Sequence, residues 1–171
     1  MSDISDLTEQ VIRRAAEGKI RIVAAESCTA GLVADLLAGV PGASGVLWGS
    51  FVSYTPDAKV RMLGVDDALL RQYGAVSRET AVSMAQGALE RSEADIAVSV
   101  TGLAGPDGDG SGVPVGTVWI GVAWSNGAKA GVYHFSGSRN EVRRCAAVEA
   151  LGVLARQFDE MLAHETLGLK A

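Results

Sequence analysis

Cysteine and histidine are both scarce in this sequence, two of each among 171 residues. Cys28 and Cys145 stand far apart, so they offer neither a disulfide framework nor the paired thiols of a zinc site, and a reduced, cytoplasmic setting is expected. With only His134 and His164 available, a Ser-His-Asp arrangement would need one of them to reach the serine, and no G-x-S-x-G elbow supports it. Spaced sets of His, Asp and Glu are missing too. Asp107 and Asp109 resemble the start of a calcium loop, but the glutamate that should close such a loop is absent, so no metal and no other cofactor are expected. Basic residues are outnumbered, 15 Lys and Arg against 20 Asp and Glu, giving a net charge of -5 and a pI near 5.0. That balance argues against a general electrostatic surface for nucleic acid. No uncharged apolar run reaches the roughly 18 residues of a membrane span. The acidic, polar start lacks the basic-then-apolar order of a signal peptide, so neither secretion nor insertion is expected. Repeats, linkers and low-complexity tails are absent as well.

What is present is apolar material in abundance: 48% of residues are hydrophobic and 20% charged, enough for one well-packed core, so residues 1–171 are expected to form a single domain. Helical spacing of Ile4, Leu7, Val11, Ile12, Ala15 and Ala16 predicts a covering helix from Ser2 to Gly18, with Gly18 as a left-handed cap. The run from Ile20 to Ala25 reads as a buried strand and leads into a helix from about Thr29 to Ala38. A second strand is expected at Val46 to Tyr54, parallel to the first. Thr55 and Pro56 then open a short helix carrying Lys59, while Asp66 and Ser77 are expected to cap two further helices. A buried strand at Asp95 to Val100 runs into the glycine-rich passage from Thr101 to Gly112. Asn126-Gly127 predicts a type I′ hairpin between Val115–Trp124 and Ala128–Phe135. The terminal helix starts near Ser138 or Asn140, with Val142, Cys145, Ala146, Leu151, Leu154 and Phe158 toward the core. Alternating strands and helices with one hairpin predict an α/β fold: a three-layer α/β/α sandwich on a mixed, mostly parallel sheet.

The chemistry-bearing stretch is Val23 to Lys59. Ser27 stands where a strand hands over to a helix, and a serine needs a base before it can attack. Lys59 falls in the first turn of its helix, where the positive end of the helix dipole opposes an ammonium and lowers its pKa, so a neutral lysine is the alternative to histidine as base. Cap and solvated-lysine roles are the bland alternatives for the two. Cys28 is either a rival nucleophile or a small buried side chain, and Tyr54 either sits by the site or is a rim residue of its strand. Arg139 and Arg143, four apart at a helix start, would share a face on which an anion fits; pairing with Glu141 or plain solvation is the competing role.

Six motifs in fixed order carry a family resemblance: Ala25-Glu26-Ser27-Cys28-Thr29-Ala30-Gly31, Phe51-Val52-Ser53-Tyr54 with Lys59, Leu63-Gly64-Val65, Tyr73-Gly74-Ala75-Val76-Ser77, Thr101-Gly102-Leu103-Ala104-Gly105-Pro106 and Pro114-Val115-Gly116-Thr117-Val118. Together they resemble the CinA C-terminal domain family, the nicotinamide-nucleotide amidohydrolases. The resemblance implies a serine amidohydrolase that converts nicotinamide mononucleotide to nicotinate mononucleotide and ammonia in bacterial pyridine nucleotide salvage. It implies Ser27 as nucleophile, Lys59 as base and Tyr54 alongside. Backbone amides of Cys28, Thr29 and Ala30 are then expected to hold the oxyanion, and Thr101, Gly102, Gly105, Arg139 and Arg143 to bind the rest of the nucleotide. Ala30 stands where the family often carries glycine, and Ser50 where a Gly-Gly pair is common. Longer members carry a further molybdopterin-binding-like domain, whose activity is not expected here. A non-catalytic module linked to competence or DNA damage, or an amidohydrolase for another amide, are the alternatives left open. Exposed strand edges with Trp48 and Trp124 are compatible with a homodimer.

Overall fold

A computed structural model describes residues 2–168, with side chains from 4 to 161, so of the two histidines only His134 falls among the latter. Its strands are β1 (Ile22–Glu26), β2 (Leu47–Val52), β3 (Ile96–Gly102), β4 (Thr117–Trp124) and β5 (Gly127–His134). Its helices are α1 (Ser2–Gly18), α2 (Leu32–Ala38), α3 (Pro56–Leu63), α4 (Asp67–Tyr73), α5 (Arg78–Glu90) and α6 (Arg139–Gly168). The strands form one five-stranded sheet in the order β2-β1-β3-β4-β5. β1 pairs in parallel with both neighbours, whereas the β3–β4 and β4–β5 pairs are antiparallel. Only β4 therefore runs against the others, which is the mixed sheet that the hairpin signal implied.

The side-chain period of a strand divides the core in two. Ile22, Ala24, Ile96, Val98, Val118 and Ile120 pack on one face against α1, α2 and α6, through Val11, Leu37, Ala146 and Leu154. Val23, Ala25, Ala97 and Ala123 pack on the other against Leu63 of α3, Leu70 of α4 and Met84 and Ala88 of α5. This second face is built from small residues, and α5 settles close upon it: Ser99 Oγ donates to the Ala81 carbonyl at 2.6 Å. From β1 the chain crosses by way of α2 to β2 on one side, then returns by way of α3, α4 and α5 to β3 on the other. The carboxyl ends of β1, β2 and β3 thus meet where the winding reverses, the position at which open α/β sheets form a ligand crevice.

Local expectations held where a cap fixed them. Thr55, Asp66 and Ser77 each accept a backbone N–H as N-caps of α3, α4 and α5, and Glu141 accepts the Ser138 N–H at 2.7 Å at the head of α6. Three details differ. The left-handed residue ending α1 is Lys19, at φ 52°, rather than Gly18, and the Ile20 N–H reaches back to the Ala15 carbonyl at 2.8 Å in a Schellman closure. Cys145 is exposed; the α6 stripe is Val142, Ala146, Ala150, Leu151, Leu154 and Phe158. In the hairpin, Trp124 pairs with Gly127, so the turn falls on Ser125-Asn126 and contains no positive φ. Gly127 answers to packing instead, since a Cβ there would sit 3.0 Å from the Trp124 ring.

Candidate active site

β1 ends at Glu26, and the chain does not pass straight into a helix. Ser27 to Ala30 form a turn closed by the Ala30 N–H on the Ser27 carbonyl at 3.1 Å. Ala30 and Gly31 then take left-handed φ of 51° and 100°, and α2 begins at Leu32 rather than Thr29. The cause is Glu26. Its side chain is wholly buried, and the carboxylate accepts the N–H groups of Gly31, Val33 and Ala34 at 2.8, 3.1 and 3.0 Å and the Ser50 hydroxyl at 3.0 Å. Gly31 has no side chain with which to cap α2, so the last residue of the strand does so, and the chain between must loop out. Ser27 is the first residue of that loop, held by its N–H to the Val100 carbonyl at 2.9 Å.

Lys59 approaches from the other layer on α3, whose start is set by Pro56 at the first helical position and the Thr55 cap. Its side chain is only 1% exposed. The Nζ lies 2.8 Å from Ser27 Oγ and 2.9 Å from the Ser53 carbonyl. Burial pushes its pKa from 10.5 down to about 8. In the neutral amine, one N–H directed at the Ser53 carbonyl leaves the nitrogen lone pair for the Ser27 hydroxyl proton. Beside them Cys28 is buried, and that burial raises its thiol to about 11, so at neutral pH it is a protonated thiol and no nucleophile.

Ser27, Cys28, Lys59 and Thr101 line a cavity of about 280 Å³, with Tyr54, Asp109 and Arg139 also on its wall. Arg139 donates from Nη1 to the Gly105 carbonyl and from Nη2 to the Tyr54 hydroxyl, both at 2.6 Å, which links the head of α6 to the end of β2. Thr101 is buried and donates its hydroxyl to the Ala75 carbonyl at 2.7 Å. Gly102 lines the cavity, but a Cβ there would come within 2.9 Å of the Thr117 carbonyl, so β4 alone already requires glycine. Gly105 takes part through its carbonyl and is not on the cavity wall.

Two expectations need correction. Arg143 does not line the cavity, because its guanidinium donates to the carbonyls of Cys28 (2.9 Å) and Thr29 (3.0 Å) and to Asn140 Oδ1 (3.2 Å). The Ala30 amide is engaged by the Ser27 carbonyl, whereas the amides of Cys28 and Thr29 have no acceptor among the described residues. Glu26 and the Ser53 carbonyl were not foreseen. Glu26 left a signal, an acid closing an apolar strand; a backbone carbonyl leaves none. A larger groove of about 530 Å³ between α1, α2 and α6 is lined mainly by apolar side chains such as Ile4, Leu32, Leu36 and Val40, and its hydroxyls, Ser5 and Thr8, contact no lysine, so here chemistry outweighs size.

A serine and a buried lysine in contact thus stand at the crevice of an α/β/α domain. The chain belongs to the CinA C-terminal domain family, whose model matches residues 4–158. It is 42% identical to the nicotinamide-nucleotide amidohydrolase PncC of Escherichia coli strain K12 over 160 residues, covering 92% of this chain and 96% of that protein. It is 44% identical to the CinA-like protein of Geobacter metallireducens over 148 residues, 86% of this chain but 36% of the relative, so the chain spans little more than a third of such longer proteins. Among solved structures, the competence/damage inducible protein CihA from Agrobacterium tumefaciens superposes with a TM-score of 0.86 at 42% identity, covering 89% of this chain and 93% of that one.

Proposed function

We propose that the protein is a serine amidohydrolase acting on the carboxamide of nicotinamide mononucleotide. The observation that carries this reading is the 2.8 Å contact between Ser27 Oγ and the Nζ of a lysine buried deeply enough to lose its charge through a midpoint near pH 8. The named activity of the Escherichia coli relative, which matches along nearly its whole length, supports the choice of substrate. In this mechanism Lys59 takes the Ser27 proton as Oγ bonds to the carboxamide carbon. The carbonyl oxygen becomes an oxyanion opposite the free amides of Cys28 and Thr29. The Lys59 ammonium then returns the proton to the departing nitrogen and ammonia leaves; water, deprotonated by the same amine, adds to the acyl carbon, and the ammonium gives that proton to Ser27 Oγ as the acid departs. Arg139, held by the Gly105 carbonyl and the Tyr54 hydroxyl, offers a cationic rim for the phosphate. A cavity of about 280 Å³ takes the pyridine ring and leaves the phosphate at that rim.

The test is ammonia release by the wild type and Ser27→Ala across nicotinamide mononucleotide, nicotinamide and simple aliphatic amides. Turnover is expected with the nucleotide, weakly or not at all with the others, and none in Ser27→Ala at an unchanged thermal midpoint. Retained turnover in Ser27→Ala would take the serine out of the mechanism.

A further inference from the structure

Arg143 sits one helical turn after Arg139 and yet takes no part in the cavity wall; all three guanidinium nitrogens are engaged elsewhere. Two of those bonds end on consecutive backbone carbonyls of the loop that presents the serine, Cys28 and Thr29. A trans peptide unit is planar, with its C=O and the following N–H antiparallel, so whatever fixes a carbonyl fixes the amide on the opposite side of the same plane. The Ser27 carbonyl, held by the Ala30 N–H, therefore sets the direction of the Cys28 amide. The Cys28 carbonyl, held by Arg143 Nε at 2.9 Å, sets the direction of the Thr29 amide. These are the two amides of the loop left without an acceptor among the described residues. The direction follows from the layers: α6 packs on one face of the sheet and α3, which carries Lys59, on the other. An N–H antiparallel to a carbonyl drawn toward α6 points to the side from which Lys59 approaches.

From this geometry we infer that Arg143 is a positioning residue for the oxyanion hole: it aims the Thr29 amide at the developing oxyanion by gripping the far side of its peptide plane. Arg143 touches neither substrate nor the reacting atoms, and its effect falls on the transition state. The forked guanidinium suits the task, because its Nε and Nη2 bond two successive carbonyls from separate nitrogens in fixed directions, which the single rotatable ammonium of a lysine does not reproduce. Ala30 adds to the need for a clamp, since a non-glycine residue at φ 51° is held there against its own preference.

This inference rests on the amidohydrolase reading, and the experiment separates the two. Ammonia release from nicotinamide mononucleotide is followed for the wild type, Arg143→Lys and Arg143→Gly, with a thermal midpoint for each and with guanidinium chloride added at non-denaturing concentration. In both variants kcat is expected to fall about 10- to 100-fold with KM within about twofold, the loss being smaller in Arg143→Lys. Added guanidinium should restore part of kcat in Arg143→Gly and none in the wild type. A raised KM at unchanged kcat would make Arg143 a substrate ligand and overturn the inference, as would a wild-type kcat in folded Arg143→Lys. If Arg143→Gly does not fold, Arg143→Lys alone decides. A wild type silent on every amide overturns the hydrolase reading, an outcome distinct from these because they require an active wild type.

Discussion

Lys59 is the residue at which stability and chemistry pull apart. Its pKa is about 8 in the folded chain against an ordinary 10.5. Between those values the unfolded chain binds a proton that the folded chain does not, so stability rises with pH across that window, and the full penalty, about 3 kcal/mol, applies below it. Replacing the buried cation by an apolar chain of similar length removes the penalty. Lys59→Met is therefore expected to be more stable by about 1–3 kcal/mol at pH 7, with the gain fading as pH approaches 10.5. Denaturant titrations at several pH values measure it; a destabilised variant at pH 7 would mean that the bonds to Ser27 and Ser53 outweigh desolvation. Under the proposed mechanism the same protonation governs turnover: wild-type kcat should climb with pH through a midpoint near 8, and Lys59→Met should release no ammonia. The placement of Lys59 was legible, because Thr55 and Pro56 fix where α3 starts. Its burial was expected of a neutral base, and so was the parallel pairing of β1 and β2; that the side chain is left only 1% exposed depends on how closely α3 seats on the sheet, which no local pattern records.

Among the elements, α2 shows most clearly where local pattern fails. Its apolar spacing was read correctly, but the chain ahead of it was assigned to the helix because nothing in Thr29-Ala30-Gly31 marks a stop. The stop is imposed from β1, by a carboxylate that bonds three amides of the helix head. Glu26→Gln keeps the shape and substitutes an amide, whose NH2 faces donors and whose single oxygen cannot serve them all. A loss of about 2–3 kcal/mol is expected, measured by thermal or denaturant unfolding, together with reduced kcat as the Ser27 loop loosens. Unchanged stability would show that the N–H groups find water instead. The terminal helix makes the complementary point: its stripe was legible by period, and Cys145 was misplaced because a small apolar residue at the margin of a stripe fits either side.

At the scale of the whole molecule, class and layering were legible, since strands alternate with amphipathic helices and a hairpin signal foretells a reversed strand. The closeness of the helices within one layer was not. Gly87 lies in α5 where a Cβ would stand 1.9 Å from the Leu63 carbonyl at the end of α3. Gly87→Ala must part the two helices, with an expected loss of about 1–3 kcal/mol by thermal unfolding and a fall in kcat because α3 carries Lys59. Wild-type stability would show that α3 slides without strain. One last consequence belongs to β1. It is paired on both edges, its side chains are wholly buried, and the serine hangs from its end. Local opening, the route by which proteins lose loops and lids while the rest stays folded, is closed to a strand in that position. Ser27 therefore hangs from a strand whose amide protons are expected to exchange among the last of the molecule, and heat is expected to displace it only when the sheet itself comes apart.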